Sequence, residues 1–194
     1  MQYFFLLFLS FLTICQAEMI NSSFESSFSG WTVTGDAYIA PDRTPTGGGD
    51  FADRWFSGGP KDGTRYACIG NRGNESSGTL KSPLWTATNQ YLSFYHAGNS
   101  ANNHFAAILN SSSVQLTYLY AQSYNDSVWR RWDFNLQSLG LKQGDSFYFF
   151  YQDGSSWSVV DYVYQWGNAL PSVPENSSIL FLGMGLLFLI RKFL

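Results

Sequence analysis

This 194-residue chain has few residues whose types and spacing match a known catalytic motif. Its two histidines are His96 and His104, and their spacing matches no histidine-containing metal motif. The sequence has no Gly-x-Ser-x-Gly nucleophile elbow, and Cys68 has no activating partner near it in the chain. Asp50 and Asp53 could serve a glycosidase as a carboxylate pair, but nothing in the sequence places them across a cleft. These observations predict a protein that is not an enzyme.

Aromatic residues make up 19% of the chain, and charged residues only 13%. An aromatic ring can stack on the face of a sugar and buries a large area while keeping a polar handle. Trp55, Trp85 and Trp157, with Phe56, lie in segments that have the composition of loops. We therefore predict that Trp55, Trp85 and Trp157 bind carbohydrate. The alternative is that most of the tryptophans belong to the core or to sheet surfaces, where aromatic residues are favoured.

Alternation of apolar and polar residues predicts strands through the middle of the chain. Trp31 and Val33, for example, alternate with Thr32 and Thr34, which is typical of a strand with one buried face. The segment 41–63 is rich in Gly, Pro and Asp and is predicted to be a long loop. Short strands at a spacing of roughly 8–12 residues indicate an all-β sandwich. The predicted strands cover residues 31–34, 65–69, 78–85, 91–96, 104–109, 114–121, 129–136, 146–151 and 158–166, and the strand in 78–85 is predicted to end near Pro83.

The N-terminal segment predicts export. Residues 3–14 are almost wholly apolar, and Cys15-Gln16-Ala17 offers small residues at the −3 and −1 positions, so residues 1–17 are predicted to be a signal peptide. Cys68 would then be the one cysteine left, and its alternating segment predicts a small buried apolar residue. Residues 18–170 suffice for one domain with a core. The net charge of −3 and the absence of a basic stripe argue against a nucleic-acid partner.

Several segments of residues 18–170, in their order along the chain, resemble the galactose-binding-like jelly rolls of carbohydrate-binding modules. They are Asn21-x-x-Phe24-Glu25 with Gly30-Trp31 and Gly35-Asp36-Ala37, then Gly78-x-Leu80-x-Ser82-Pro83 with Tyr91-Leu92-Ser93-Phe94, and finally Trp129 to Phe134 with Gly144, Trp157 and Val160-Asp161-Tyr162-Val163. The resemblance implies a jelly-roll β-sandwich. It also implies a structural Ca²⁺ where the first and last strands meet, with Glu25 and Asp161 as carboxylate ligands and Asp36 as a third candidate. The alternative is that Glu25 and Asp161 only accept hydrogen bonds from local backbone.

The C-terminus, residues 171–194, combines three features. A polar motif, Val173-Pro174-Glu175-Asn176, precedes an apolar run over residues 179–190, and the basic pair Arg191-Lys192 follows. As a helix the apolar run would reach only about 18 Å, whereas the hydrocarbon core of a bilayer is roughly 30 Å thick. The basic end is expected to stay cytoplasmic. The pattern therefore predicts a transient stop in the membrane rather than a durable anchor.

Together, the motif, the apolar run and the basic end resemble the PEP-CTERM sorting signal of Gram-negative bacteria, which is read by exosortase, a membrane transpeptidase or protease. Pro174 and Glu175 match the first two motif residues, and Asn176 stands where a second proline is usual. The resemblance implies exosortase as a partner and a transient inner-membrane stage. The alternatives are an ordinary membrane anchor and a GPI anchor, although the polar spacer of a GPI signal is missing after Ser178.

These patterns together predict an exported, exosortase-sorted protein of the cell surface or the extracellular space with one jelly-roll domain. It would act as a non-catalytic structural or carbohydrate-binding component, with extracellular polysaccharide as its ligand and Ca²⁺ as a structural cofactor. The alternative function is that of a secreted carbohydrate-active enzyme.

Overall fold

The computed structural model describes residues 19, 21–35, 37–41, 59–69, 77–98, 104–120, 126–154 and 158–172. The predicted signal peptide and the sorting signal with its apolar helix lie outside these residues, as do Asp36, Trp55 and Trp157. Within the described ranges, no helix has the length and apolar character needed to cross a bilayer.

The described residues form eleven strands and a single turn of 3-10 helix over Gln137–Leu139. In chain order the strands are β1 (Thr32–Gly35), β2 (Ala37–Pro41), β3 (Arg65–Ile69), β4 (Gly78–Lys81), β5 (Trp85–Thr86), β6 (Asn89–Gly98), β7 (Phe105–Asn110), β8 (Gln115–Tyr120), β9 (Asp126–Asn135), β10 (Ser146–Asp153) and β11 (Ser158–Ala169).

These strands build two antiparallel sheets that pack against each other. The six-stranded sheet has the order β1-β4-β10-β7-β8, and β5 pairs with β10. The five-stranded sheet has the order β2-β3-β11-β6-β9. The two central strands, β10 and β11, come from the end of the chain, so each pairs with strands that are distant in sequence. The predicted all-β, jelly-roll sandwich is therefore confirmed.

Aromatic side chains from both sheets form the core between them. Phe94 of the five-stranded sheet packs on Phe149 of the six-stranded sheet, with ring centroids 5.1 Å apart. Trp31 contacts Trp85 edge to face at 5.4 Å, and its indole N–H donates a hydrogen bond of 3.1 Å to the carbonyl of Asn21. Because each fully buried side chain of this size contributes roughly 1.5–3 kcal/mol, these contacts fix the first turn of the domain to its core.

The strand predicted in 78–85 ends near its proline as expected, and a second short strand follows the break at Ser82 and Pro83. Proline has no N–H to donate to a ladder, so strand pairing stops there. The Ser82 hydroxyl donates to the Pro83 carbonyl at 2.8 Å and accepts the Phe149 N–H at 2.9 Å. Strand pairing begins again at Trp85, which pairs with Phe147 and directs its side chain into the core.

Candidate functional site

Alternation along β6 and β11 turns a row of aromatic side chains away from the core. Leu92 and Phe94 of β6 pack in the core, so the residues on either side of them face outward from the five-stranded sheet. The neighbouring strand β11 adds three half-buried aromatic residues that contact them. We call this surface the aromatic face, and it consists of Tyr91, Tyr95, Tyr162, Tyr164 and Trp166.

The rings of the aromatic face form two stacks. Tyr91 and Trp166 lie with their centroids 4.7 Å apart and an angle of 22° between their planes. Tyr162 and Tyr164 are 4.5 Å apart at 20°. Tyr95 lies 6.1 Å from Tyr162 and is inclined to it by only 12°. Since these rings brace one another, the surface that they present is held in one arrangement.

Charged and polar groups lie among the rings. The guanidinium carbon of Arg131 is 4.9 Å from the centroid of Trp166, and its Nε is 3.2 Å from Oδ1 of Asp133. The Trp166 indole N–H donates to the Ser93 hydroxyl at 2.5 Å, and that hydroxyl donates to Asp133. The connected groups fix the orientation of the indole. Arg131 and Asp133 remain 41% and 36% exposed, and both are therefore accessible to a ligand.

Tyr162 has an unusual backbone conformation. The register between β11 and β6 shifts between Asp161 and Tyr164, and Tyr162 has a φ of +47°. A left-handed φ is rare for a bulky residue and costs of the order of 1–3 kcal/mol. A bulge of this kind re-aims a side chain, and here it places Tyr162 and Tyr164 on the same outward surface. Strain of this type concentrates at functional sites.

Asp161 fixes part of the aromatic face through hydrogen bonds. Its Oδ1 accepts the Tyr162 N–H at 2.7 Å, and its Oδ2 accepts the N–H groups of Lys61 at 2.7 Å and Asp62 at 3.1 Å. The Lys61 ammonium lies 4.6 Å from the ring centroid of Tyr95. Burial raises the pKa of the Asp161 carboxyl from 3.8 to about 7, even though the three N–H donors act to lower it. A single buried carboxyl therefore fixes both Tyr162 and the segment that carries Lys61.

Glu25 fixes the other half of the same loop. Its Oε1 accepts the N–H groups of Thr64 and Arg65, both at 2.9 Å, and its Oε2 accepts the Thr64 hydroxyl at 2.7 Å. Burial raises the pKa of Glu25, but these hydrogen bonds outweigh it, and the pKa lies below its ordinary value. Gly63 has a φ of +66°, which favours glycine, and a Cβ there would lie 2.5 Å from Oε1 of Glu25 and would displace the carboxylate.

Glu25 and Asp161, the predicted calcium ligands, both accept hydrogen bonds from residues 61–65. Glu25 and Asp161 bind the same loop, as expected for residues near the first and last strands. Each carboxylate oxygen nevertheless faces an N–H or O–H donor. In the described part of the chain, no three acidic, cysteine or histidine side chains are grouped closely enough to hold a metal ion. Asp36 lies outside the described residues, and the calcium site stays a prediction.

The prediction that Trp85 is an accessible sugar-binding residue is wrong. Its side chain is 1% exposed and packs edge to face on Trp31 and on Phe147, so its indole is part of the core. Trp55 and Trp157 lie outside the described residues, and their roles stay predictions.

The aromatic face was not predicted, although the sequence contains a signal for it. Tyr91 and Tyr95 occur at even spacing in one strand, and Tyr162, Tyr164 and Trp166 do so in another. A strand turns such residues to the same side.

Another part of the outer surface of the five-stranded sheet is covered in the described structure. Tyr66, Cys68, Ala97 and Val159 form a second apolar cluster on this side of the sheet, and all are at most 1% exposed. Trp129 of β9 packs against the cluster and donates its indole N–H to the carbonyl of Gly59 at 2.8 Å. The prediction that Cys68 is a buried apolar residue is confirmed. The chain at Gly59 therefore lies over this part of the sheet, whereas the residues of the aromatic face are half-buried in the described structure.

The two histidines, which are separate in sequence, are neighbours in the fold. The rings of His96 and His104 lie 5.4 Å apart, and Nδ1 of His104 is 3.1 Å from Oδ1 of Asp153. Asp153 also accepts the Ser158 hydroxyl at 3.1 Å. All four side chains are at most 1% exposed. Their burial keeps all four side chains away from solvent in the described fold.

No protein-family model matches the sequence, and no curated protein is similar to it. The fold is similar to that of TmCBM61, solved in complex with β-1,4-galactotriose, with a TM-score of 0.51 and 14% identity over 75% of this chain and 94% of that one. The K2 cleaved adhesin domain of Lys-gingipain aligns with a TM-score of 0.48 and 14% identity, over 73% of this chain and 95% of that domain. A family 16 carbohydrate-binding module aligns with a TM-score of 0.44 and 10% identity, over 75% and 96%. The likeness to TmCBM61 shows a shared β-sandwich fold.

Proposed function

We propose that this protein is a non-catalytic carbohydrate-binding module that binds polysaccharide on the aromatic face. The observation that carries the proposal is the grouping of five braced aromatic rings with exposed charged groups on one sheet surface. A shared fold with TmCBM61 is consistent with this function but does not establish it, because one fold serves many functions.

The chemistry of the aromatic face suits a sugar. Pyranose rings combine apolar C–H surfaces with a rim of hydroxyl groups, and aromatic side chains with polar handles match both features. Arg131 can donate hydrogen bonds to sugar oxygens, and Asp133 can accept them from sugar hydroxyls. Lys61, held above Tyr95, adds a further donor at the other stack. A few fixed polar groups among apolar rings are the usual composition of a small-molecule site.

Titration of the protein with a panel of polysaccharides, followed by tryptophan fluorescence, tests this proposal. We expect a saturable change with at least one glycan, because Trp166 would lose contact with water on binding. Trp166→Ala lacks this indole, so its affinity is measured by titration calorimetry beside that of the unaltered protein, and binding is expected to weaken by about 1–3 kcal/mol, the scale of one lost side-chain contact. Tyr148→Ala is the matched control, because Tyr148 lies in β10 of the other sheet, away from the aromatic face. Binding that is lost in Tyr148→Ala and retained in Trp166→Ala would contradict the proposal.

We further propose that the protein is exported and sorted by exosortase to the cell surface or the extracellular matrix, where polysaccharide would be its ligand. The predicted signal peptide over residues 1–17 and the motif Pro174-Glu175 with its apolar run and basic end support this part.

A further inference from the structure

The six-stranded sheet ends in an open strand. Among the described strands β8 pairs with β7 alone, so its other side presents backbone N–H and C=O groups that no described strand pairs with. Three of its side chains point outward and are strongly exposed: Leu116 is 38%, Tyr118 53% and Tyr120 61% exposed. Val114, directly before the strand, is also exposed. An open edge with apolar side chains is a template for pairing with another strand.

The hairpin that carries this edge lacks the usual protection against pairing. Residues 105–120, which span β7, its turn and β8, include no Lys, Arg, Asp, Glu or Pro. Charged residues, proline and bulges are the devices that keep edge strands apart. One register irregularity occurs, between Ile108 and Leu109 opposite Gln115, and the pairing from Thr117 to Tyr120 is regular. The second half of β8 is therefore a straight and uncharged edge.

Beside this edge the outer surface of the sheet continues as an apolar surface. Phe105 of β7 and Phe150 of β10 lie 5.7 Å apart and are half-buried. The register places Phe105 beside Tyr120 and Ala107 beside Tyr118. Residues that are opposite in a ladder share a face of the sheet, so the exposed side chains of β8 extend an apolar surface that begins on β10.

We propose that β8 pairs antiparallel with β8 of a second copy of this chain, so that the two six-stranded sheets join into one. The two strands of such a pair are related by a two-fold axis, so each strand donates to the other the same backbone hydrogen bonds that it accepts. Residues that lie opposite each other across the pair must be on the same face of the joined sheet. Because side chains alternate along a strand, the two-fold axis must pass through a residue and not between two residues. A register centred on Tyr118 avoids the irregular end at Gln115, and it sets Tyr118 opposite its counterpart and Leu116 opposite Tyr120.

The absence of charged residues permits pairing with a second copy at this edge. Each chain has a net charge of −3, so two copies repel one another overall. The uncharged hairpin of residues 105–120 is where the approach of a like-charged copy is least opposed. Aliphatic side chains such as Leu116 and Val114 bury apolar area against a protein strand, whereas an open backbone edge offers a polysaccharide no comparable ladder.

Oxidative cross-linking of the full chain in detergent tests the pairing. In the proposed register the two Tyr118 Cα atoms are about 4.5–5.5 Å apart, within the range for a disulfide. Tyr118→Cys is therefore expected to give a covalent dimer. Thr32→Cys is the matched control, because Thr32 is exposed on β1, the opposite edge of the same sheet. Cys68 is buried and stays in place. Cross-linking of both variants, or of neither, would overturn the proposal.

Sedimentation of the same full-length protein provides the second test. We expect the unaltered protein and Thr32→Lys to be dimers, and Tyr118→Lys to be a monomer with an unchanged circular dichroism spectrum. All three share the same C-terminal segment, so association through that segment would affect them equally. A monomer for the unaltered protein at every concentration, or a persistent dimer for Tyr118→Lys, would refute the pairing. A monomeric protein that loses polysaccharide binding in Tyr118→Lys would instead assign this surface to sugar.

Discussion

The carboxylate of Asp161 accepts a hydrogen bond of 2.7 Å from the backbone N–H of Tyr162, its neighbour in the chain, whose φ is +47°. The bond stabilises a conformation that an aromatic residue rarely adopts, and that conformation directs Tyr162 onto the aromatic face. The same carboxylate also fixes Lys61, which lies above Tyr95. The residue predicted as a metal ligand is thus a positioning residue for the surface that we propose binds sugar.

The raised pKa of Asp161 predicts a specific dependence of stability on pH. With a pKa of about 7 in the folded state and about 3.9 when unfolded, the folded protein holds the proton more tightly. The stabilisation from this group is complete below about pH 4 and is lost as pH rises to about 7. Asp161 should therefore contribute to a fall in melting temperature between pH 5 and pH 7.5. The side chain in Asp161→Asn cannot titrate, so this contribution should disappear in the variant. An unchanged pH profile in Asp161→Asn would contradict this account.

His96 predicts the opposite dependence. Burial, followed by the nearby His104 and Arg130, holds the pKa of His96 well below its ordinary value, and neither ring nitrogen has a hydrogen-bond partner in the described residues. Its stabilising effect is therefore present above about pH 6.5 and is lost as pH falls below that value.

His96→Leu tests this dependence, because leucine has a similar volume and no proton to gain. We expect the variant to resist unfolding at pH 5 better than the unaltered protein, and to lie within about 1 kcal/mol of it at pH 7.5. Thermal melts of both proteins at the two pH values provide the measurement. Asp161 titrates in the unaltered protein and in His96→Leu alike, so its effect on stability cancels when the two are compared. The assignment would be contradicted if His96→Leu destabilised the protein more at pH 5 than at pH 7.5.

The strands could be predicted from sequence because half-buried strands alternate visibly. Segment 65–69 matches β3, and segments 91–96 and 146–151 lie within β6 and β10. The strand in 78–85 was predicted to end near Pro83, and β4 does end there, but the short strand β5 that follows was not foreseen. The small strand β2 was missed because its residues adjoin a segment rich in Gly, Pro and Asp.

The site was harder to predict, because sequence does not show which face of a strand is covered. Trp85 follows a proline in a segment with the composition of a loop, but the sheet pairing of β5 turns it inward. The bulge between Asp161 and Tyr164 depends on hydrogen bonds to Lys61 and Asp62, about a hundred residues away in the chain. Such long-range partners leave no local pattern in the sequence, so the even spacing of Tyr162 and Tyr164 indicates that they share a side of the strand but not that the bulge turns both outward.

Calcium binding remains to be tested, and a chelator provides the test. A ligand that binds only the folded state adds about 2.7 kcal/mol of stability at a concentration of 100 times its Kd. If Glu25, Asp161 and Asp36 hold Ca²⁺, the melting temperature should fall on adding chelator and recover with excess Ca²⁺. Asp161→Asn should lose this response. Identical melting curves with chelator and with Ca²⁺ would leave both carboxylates with their hydrogen-bonding role alone.

Sorting at the C-terminus predicts a processed product. Cleavage near Pro174-Glu175 should remove residues 179–194, and removal of the signal peptide should expose residue 18. Mass spectrometry of both ends of the surface protein, isolated from its native host, measures this directly. Replacing Glu175 with alanine should cause the unprocessed form to accumulate, whereas Glu18→Ala should not affect C-terminal processing. An intact C-terminus on protein at the cell surface would refute exosortase sorting.

The two tryptophans Trp85 and Trp166 should respond oppositely to truncation. Trp85 is enclosed by Trp31 and Phe147, so Trp85→Ala leaves a cavity and costs roughly 3–5 kcal/mol. That loss corresponds to a fall in melting temperature of about 6–20 °C for a chain of this length. Trp166 is half-buried, so Trp166→Ala should lower stability less and should instead weaken polysaccharide binding.

Measuring both properties in both variants separates core from site. At a temperature where Trp85→Ala is still folded, its affinity for polysaccharide should match that of the unaltered protein, because its indole lies between the sheets and away from the aromatic face. Trp166→Phe is the conservative control: it keeps an aromatic ring beside Tyr91 but removes the N–H that donates to Ser93. We expect its affinity to lie between those of Trp166→Ala and the unaltered protein. If Trp85→Ala lowers affinity while Trp166→Ala lowers only stability, the binding surface lies elsewhere and the aromatic face is a structural feature of the sheet.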